Sequence, residues 1–190
     1  DTGAYPKSAL VTTDTEIESQ NMIDYLCSCG HKRIAFITSR DEGLGRCHLN
    51  GYKRALEKNG LEYDEKLIIR LKPAKRIYTI ENGYNCTCEL LKSGVDFSCI
   101  YAISDTLAVG ACRAIIDSGK RVPEDYCVAG ADGQDIAEYY HPSITTLKYP
   151  RVETAQQSVR TLFDMIDRKK VVKRQILGGT LIERESTRKL

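Results

Sequence analysis

Short runs of β-branched and aromatic residues alternate with segments whose apolar residues recur at helical spacing, and this alternation is the chain's strongest constraint. Ile34-Ala-Phe-Ile-Thr38 reads as a buried strand, and Leu49, Tyr52, Ala55 and Leu56 then follow a helical period until Asn59-Gly60 stops it. Leu67-Ile-Ile-Arg-Leu71 is the next expected strand, followed by a helix through Tyr84, Cys88 and Leu91 that ends before Ser93-Gly94. Cys99-Ile-Tyr-Ala-Ile103 is a third, and Ser104 is placed to cap the helix carrying Leu107, Ala108, Ala111, Cys112 and Ile115. Gly119 closes that helix, and Tyr126-Cys-Val-Ala129 is a fourth strand. Upstream, Met22, Ile23 and Leu26 mark another helix leading into Gly30-His31. Strands alternating with helices predict βαβ units around a parallel sheet flanked by helices, so the expected fold class is α/β.

In such sheets ligands bind outside the carboxyl ends of the strands. That rule selects Ser39, Arg40, Asp41 and Arg46 after the first strand, and Lys75, Arg76 and Tyr78 after the second. Ser104-Asp105 follows the third strand and Ala131-Asp132 the fourth. A carboxylate, a guanidinium, a hydroxyl and an aromatic face suit a small hydroxyl-rich molecule, such as a sugar or nucleoside.

Composition narrows the partners. The 190 residues make one domain, or one domain and part of a second, with a hydrophobic fraction of 42% and a charged fraction of 28%. Basic residues number 28 and acidic residues 26, for a net charge of +2, so the chain carries no electrostatic footprint for nucleic acid. Arg168, Lys169, Lys170, Lys173 and Arg174 read as a solvated loop. No apolar run approaches the ~18 residues of a membrane span, and no secretory signal opens the chain, so no membrane partner is expected. Eight cysteines are too sparse for a disulfide scaffold and read as reduced thiols, which points to the cytoplasm.

The motifs that could carry chemistry fall short of it. Gly43-Leu-Gly45 suggests a dinucleotide cradle, but His48 stands where the third glycine must let pyrophosphate approach, so the segment reads as a flexible loop. Cys27-x-Cys29-x-His31 and Cys86-x-Cys88 lack zinc-site spacing, and a C-x-C pair within a helix points its thiols about 200° apart. His31 and His141 read as structural. Asp105 and Asp132 could form an acid–base pair, but no nucleophile or metal accompanies them, which favours binding over catalysis. No metal and no cofactor is expected. The apolar stripe of Val152, Ala155, Val159, Leu162, Phe163 and Ile166 reads as a core-facing helix, part of which could serve a subunit interface.

The order of motifs adds a resemblance. Gly30-His-Lys-Arg-Ile-Ala35, Ser104-Asp-Thr-Leu-Ala-Val-Gly110, Gly119-Lys-Arg-Val-Pro-Glu-Asp125, Val128-Ala-Gly-Ala-Asp132, Pro142-Ser-Ile-Thr-Thr146 and Leu181-Ile-Glu-Arg-Glu-Ser-Thr187 occur in sequence. The chain resembles the lactose-repressor family of bacterial transcription regulators. The resemblance implies a type I periplasmic-binding-protein-like fold with one complete lobe and remnants of a second. Residues 1–13 would end the amino-terminal lobe and make the first crossover, and residues 14–142 would form the carboxy-terminal effector lobe. Residues 143–174 would return to the other lobe, and residues 175–190 would make the last crossover and tail.

Residue by residue, the resemblance implies that Asp132 binds the effector, that Tyr78 stacks on it, and that Arg46, His48 and Ser104 contact it. His48 departs from an arginine usual at that point, and Ser104 from an asparagine. The implied function is an effector-binding, dimer-forming region of a cytoplasmic repressor, non-enzymatic, reaching operator DNA only through an amino-terminal helix-turn-helix absent from this chain. The start at Asp1, not Met, fits a truncated parent. An extracytoplasmic sugar-binding protein is the alternative. In a partial lobe the apolar helix near residues 152–166 has no groove, so self-association is expected.

Overall fold

The computed structural model describes residues 8–40, 42–73 and 75–190. They divide into two compact units. The larger unit comprises Thr15–Lys148 and Leu181–Leu190. The smaller holds Tyr149–Thr180 and the first strand.

The larger unit is built on a six-stranded sheet. Among its strands are β2 (Ile34–Thr38), β3 (Ile68–Arg70), β4 (Cys99–Ala102), β5 (Cys127–Asp132), β6 (Thr145–Lys148) and β8 (Thr180–Ile182), in the order β3-β2-β4-β5-β6-β8. The pairs β2/β3, β2/β4, β4/β5 and β5/β6 are all parallel, with Phe36 beside Tyr101 and Tyr101 beside Ala129. Every residue of β2 and β4 is buried, as a parallel sheet covered on both faces requires. Helices α1 (Thr15–Ser28) and α2 (Gly43–Lys58) pack together, as do α3 (Ile80–Lys92) and α4 (Asp105–Asp117). A short helix, α5 (Asp135–Tyr139), follows β5. In the core, Phe36 stacks between Tyr52 and Tyr101 at centroid distances of 5.0 and 5.2 Å. The Tyr52 hydroxyl donates to the Ile34 carbonyl at 2.8 Å, so this ring is buried without an unmet polar group.

Three expectations change. The sheet runs on through β6, beyond the expected lobe boundary at 142, because Thr145 and Thr146 lie buried as strand residues beside β5. Polar side chains hid that strand from an apolar-run criterion. After the last crossover, which is retained, the tail from 181 lies in this same unit: Ser186 Oγ donates to the Val128 carbonyl at 2.6 Å and accepts from Thr145 N at 2.9 Å. Gly43-Leu-Gly45 is not a flexible loop but the first turn of α2. A Cβ on Gly45 would lie 2.0 Å from the Arg40 carbonyl, so glycine serves a close approach there. Ser104 occupies the N-cap position of α4, yet its hydroxyl caps no backbone amide and lies 2.8 Å from Thr106 Oγ1.

In the smaller unit β1 (Leu10–Thr12) pairs in parallel with β7 (Arg174–Ile176), and α6 (Arg151–Ile166) accompanies them. The expectation of a core-facing α6 is overturned. Val152, Val159, Leu162, Phe163 and Ile166 are all exposed, and the helix instead directs polar residues at β7. Gln157 Nε2 donates to Gln175 Oε1 at 2.6 Å, and Gln175 Nε2 donates to Thr161 Oγ1 at 2.9 Å. A two-stranded sheet offers no apolar surface broad enough to cover the stripe. Asp1 and the rest of residues 1–7, assigned above to the end of another lobe, lie outside the described residues.

Candidate effector-binding site

A cavity of about 390 Å³ opens at the carboxyl ends of β2 and β3, lined among others by Ser39, Arg40, Leu44, Leu71, Ile77 and Tyr78. Its position follows from the topology: in a parallel sheet every strand delivers its following loop to the same edge. Tyr78 is 47% exposed, so its ring offers a face to a ligand. Arg40 supplies a guanidinium, with Glu42 3.6 Å away as a weak surface partner.

The expected site residues fall at different places. Tyr78 lines the cavity. Ser104 is not among the lining residues but lies 2.8 Å from Thr106 Oγ1, and the Thr106 hydroxyl donates to the Tyr78 carbonyl at 3.2 Å. Asp132 ends β5 with φ of 102°, a left-handed conformation that costs a non-glycine residue strain and often marks a functional turn. Its Oδ2 accepts from Gln134 Nε2 at 2.8 Å. Arg46 is exposed in the first turns of α2. Lys75 and Arg76 are exposed and do not line the cavity, while Asp41 lies outside the described residues.

His48 is a correction. The structure buries it between α1 and α2, with Nδ1 2.7 Å from Ser19 Oγ, and Ser19 Oγ in turn 3.4 Å from the Tyr101 hydroxyl. Burial lowers its pKa to about 4, so it is neutral near pH 7 and gives no charge to a ligand. Between pH 6.5 and about 4 the unfolded chain therefore binds a proton that the folded imidazole refuses. The stability at stake is present above pH 6.5 and lost as pH falls, on the order of 3 kcal/mol in full. Asp105 acts oppositely: burial raises its carboxyl to about 6 from 3.8, so its contribution is full below 3.8 and lost as pH rises through 6. Urea unfolding of His48→Gln and the native protein across this range separates the two. The variant is expected to gain on the native protein by about 3 kcal/mol as pH drops from 6.5 to 4. A constant difference would refute the assignment.

Sequence reasoning missed Leu44, Leu71 and Ile77, the apolar walls of the cavity, because nothing local distinguishes them from core residues. It also missed Gln134, which joins two carboxylates: its backbone N–H donates to Asp105 Oδ2 at 2.6 Å while its side chain reaches Asp132. Only its place beside Asp132 at a strand end could have drawn attention to it. Among the described residues no group of three or more His, Cys, Asp or Glu is placed to hold a metal, and no thiol is bridged. Burial holds the Cys99 and Cys112 thiols well above their usual range.

A profile described as a periplasmic binding protein-like domain matches residues 23–187. The HTH-type transcriptional regulator MalR of Clostridium butyricum is 40% identical over 146 residues, which are 77% of this chain and 42% of that protein. A structure of a transcriptional regulator CelR–cellobiose complex superposes with a TM-score of 0.84 at 31% identity, covering 95% of this chain and 54% of the other. A LacI family transcriptional regulator from Enterococcus faecium, crystallised with bound ribose, gives 0.82 at 30% identity, covering 97% of this chain and 67% of the other. The chain spans about half the length of the curated relatives it matches. These relatives are regulators, which disfavours the transport alternative. The chain belongs to the periplasmic binding protein-like domain family, and over nearly its whole length it is similar to part of the LacI-family transcription regulators.

Proposed function

We propose that this chain binds a small polyhydroxylated effector, a sugar or nucleoside-like molecule, and that its parent protein uses that binding to control transcription. The observation that carries this reading is the exposed Tyr78 ring beside Arg40 and Ser39 in one cavity at the strand ends. An aromatic face suits the C–H side of a sugar, and flanking hydrogen-bonding groups suit its hydroxyls. Similar proteins bound to cellobiose and to ribose support the ligand class. Asp132 is the carboxylate we assign to the effector, with Ser104 and Arg46 as further contacts. His48 instead ties α2 to α1 through Ser19.

The chain acts by binding and not by turnover. Effector binding favours one arrangement of the parent, which alters its grip on operator DNA through a helix-turn-helix outside these residues. The parent works in the cytoplasm as a homodimer. No helix among the described residues is long and apolar enough to cross a membrane. The exposed apolar face of α6 makes these 190 residues prone to self-association.

A thermal-shift series with ribose, cellobiose and nucleosides tests the site. A ligand at a hundred times its Kd stabilises a protein by about 2.7 kcal/mol. Asp132→Ala and Tyr78→Ala are each expected to remove between about half and most of that shift, since losing a charged hydrogen bond or a stacked ring weakens binding by roughly tenfold to a hundredfold. Equal stabilisation of native protein and both variants would disprove the site.

A further inference from the structure

Asp105 opens α4 and is fully buried, yet no proposed ligand contact uses it. Its Oδ1 accepts from the Thr146 hydroxyl at 2.6 Å, and its Oδ2 accepts from the Gln134 backbone N–H at 2.6 Å. The Thr146 oxygen also accepts from the Gly133 N–H at 3.3 Å. Both amides that follow Asp132 are thus tied to one carboxylate, one directly and one through a hydroxyl. The Gln134 side chain then folds back to hold Asp132 Oδ2 at 2.8 Å.

The surroundings are shaped for this arrangement. A Cβ on Gly130 of β5 would lie 2.4 Å from Asp105 Oδ1, so only glycine admits the carboxylate against the strand. Asp132 and Gly133 are both left-handed, at φ of 102° and 65°, and a turn with a strained non-glycine residue persists only when its neighbours hold it.

We infer that Asp105 is a positioning residue for the effector site: through Gln134 and Thr146 it locks the turn after β5 and so fixes where the Asp132 carboxylate stands. The inference rests on the reading that Asp132 meets the effector. The cause of the raised Asp105 pKa is burial, to which the Asp132 carboxylate adds, while Thr146, Gln134 and the Arg184 guanidinium oppose it. Protonating Asp105 weakens its hold on Gln134, which makes the turn sensitive to pH near 6.

Amide resonances and hydrogen exchange of the full 190-residue chain test this without any ligand. The Gln134 N–H is expected to titrate with a midpoint of about 6. Asp105→Asn should abolish that titration and speed Gln134 exchange about tenfold, because a neutral acceptor replaces a charged one. Thr146→Val should speed Gly133 exchange while leaving the Gln134 titration in place, and covers the case in which Asp105→Asn fails to fold. Calorimetry with ribose and cellobiose completes the test, with Asp105→Asn expected to bind about tenfold more weakly. A Gln134 titration that survives Asp105→Asn, Gly133 exchange unmoved by Thr146→Val, or unchanged sugar affinity in Asp105→Asn would overturn the inference. If the amide responses hold and no sugar binds the native protein, the effector reading falls and the lock on the turn stands.

Discussion

Gly110→Val is expected to leave the larger unit unfolded, or to destabilise it by at least about 4 kcal/mol. Helices α3 and α4 cross at Gly83 and Gly110, each set against the backbone of the other helix. A Cβ on Gly110 would stand 2.0 Å from the Ile80 carbonyl oxygen and 2.7 Å from the Tyr84 nitrogen. A Cβ on Gly83 would stand 2.1 Å from the Leu107 carbonyl oxygen. Backbone cannot yield as a flexible side-chain tip can, so the helices must part and strip the apolar residues between them. The gain in helix propensity from replacing a mid-helix glycine is below about 1 kcal/mol and cannot offset this. Gly178→Ala is the control, since nothing lies within 4 Å of a Cβ there. Urea unfolding followed by circular dichroism checks the pair. A Gly110→Val protein with a native midpoint would refute the crossing geometry.

Phe36→Ala is expected to cost roughly 3 to 5 kcal/mol. The ring lies in the middle of β2, fully buried, and stacks on Tyr52 of α2 and Tyr101 of β4 with interplanar angles of 4° and 15°. Its removal opens a cavity in close-packed surroundings and loses both stacked partners, each pair contributing about 1 kcal/mol beyond buried area. The loss should reach the functional face. Tyr101 lies 3.4 Å from Ser19 Oγ, which holds His48 in α2, and α2 begins at the cavity wall with Leu44 and Gly45. Phe36→Leu, which refills most of the volume, should recover more than half of the lost stability. Equal losses for both substitutions would show that the ring contacts, and not the volume filled, account for the contribution of Phe36.

The tie from Asp105 to the turn after β5 also bears on stability. The buried carboxylate is disfavoured when ionised, so the fold holds it at some cost near neutral pH, a common trade where a side chain serves binding. The network therefore belongs with the site and not with the core that surrounds it.

The sequence by itself determined the alternation of strand and helix, the parallel sheet and the edge at which a ligand site must lie. These are local or topological consequences. A run such as Ile34-Ala-Phe-Ile-Thr38 can be satisfied only between two helical layers, and parallel strands deliver their loops to one edge. Tyr78 was found in this way, on the cavity itself. The tertiary structure decided what depends on distant partners. Strand β6 exists because threonines pair beside β5, and its Thr146 serves Asp105 across 41 positions of sequence. His48 faces Ser19, 29 positions away, and is buried and uncharged, a direction that no spacing within α2 encodes. The α6 stripe stays exposed because its amphipathic pattern specifies a need for cover, while only the surrounding strands decide whether cover is present.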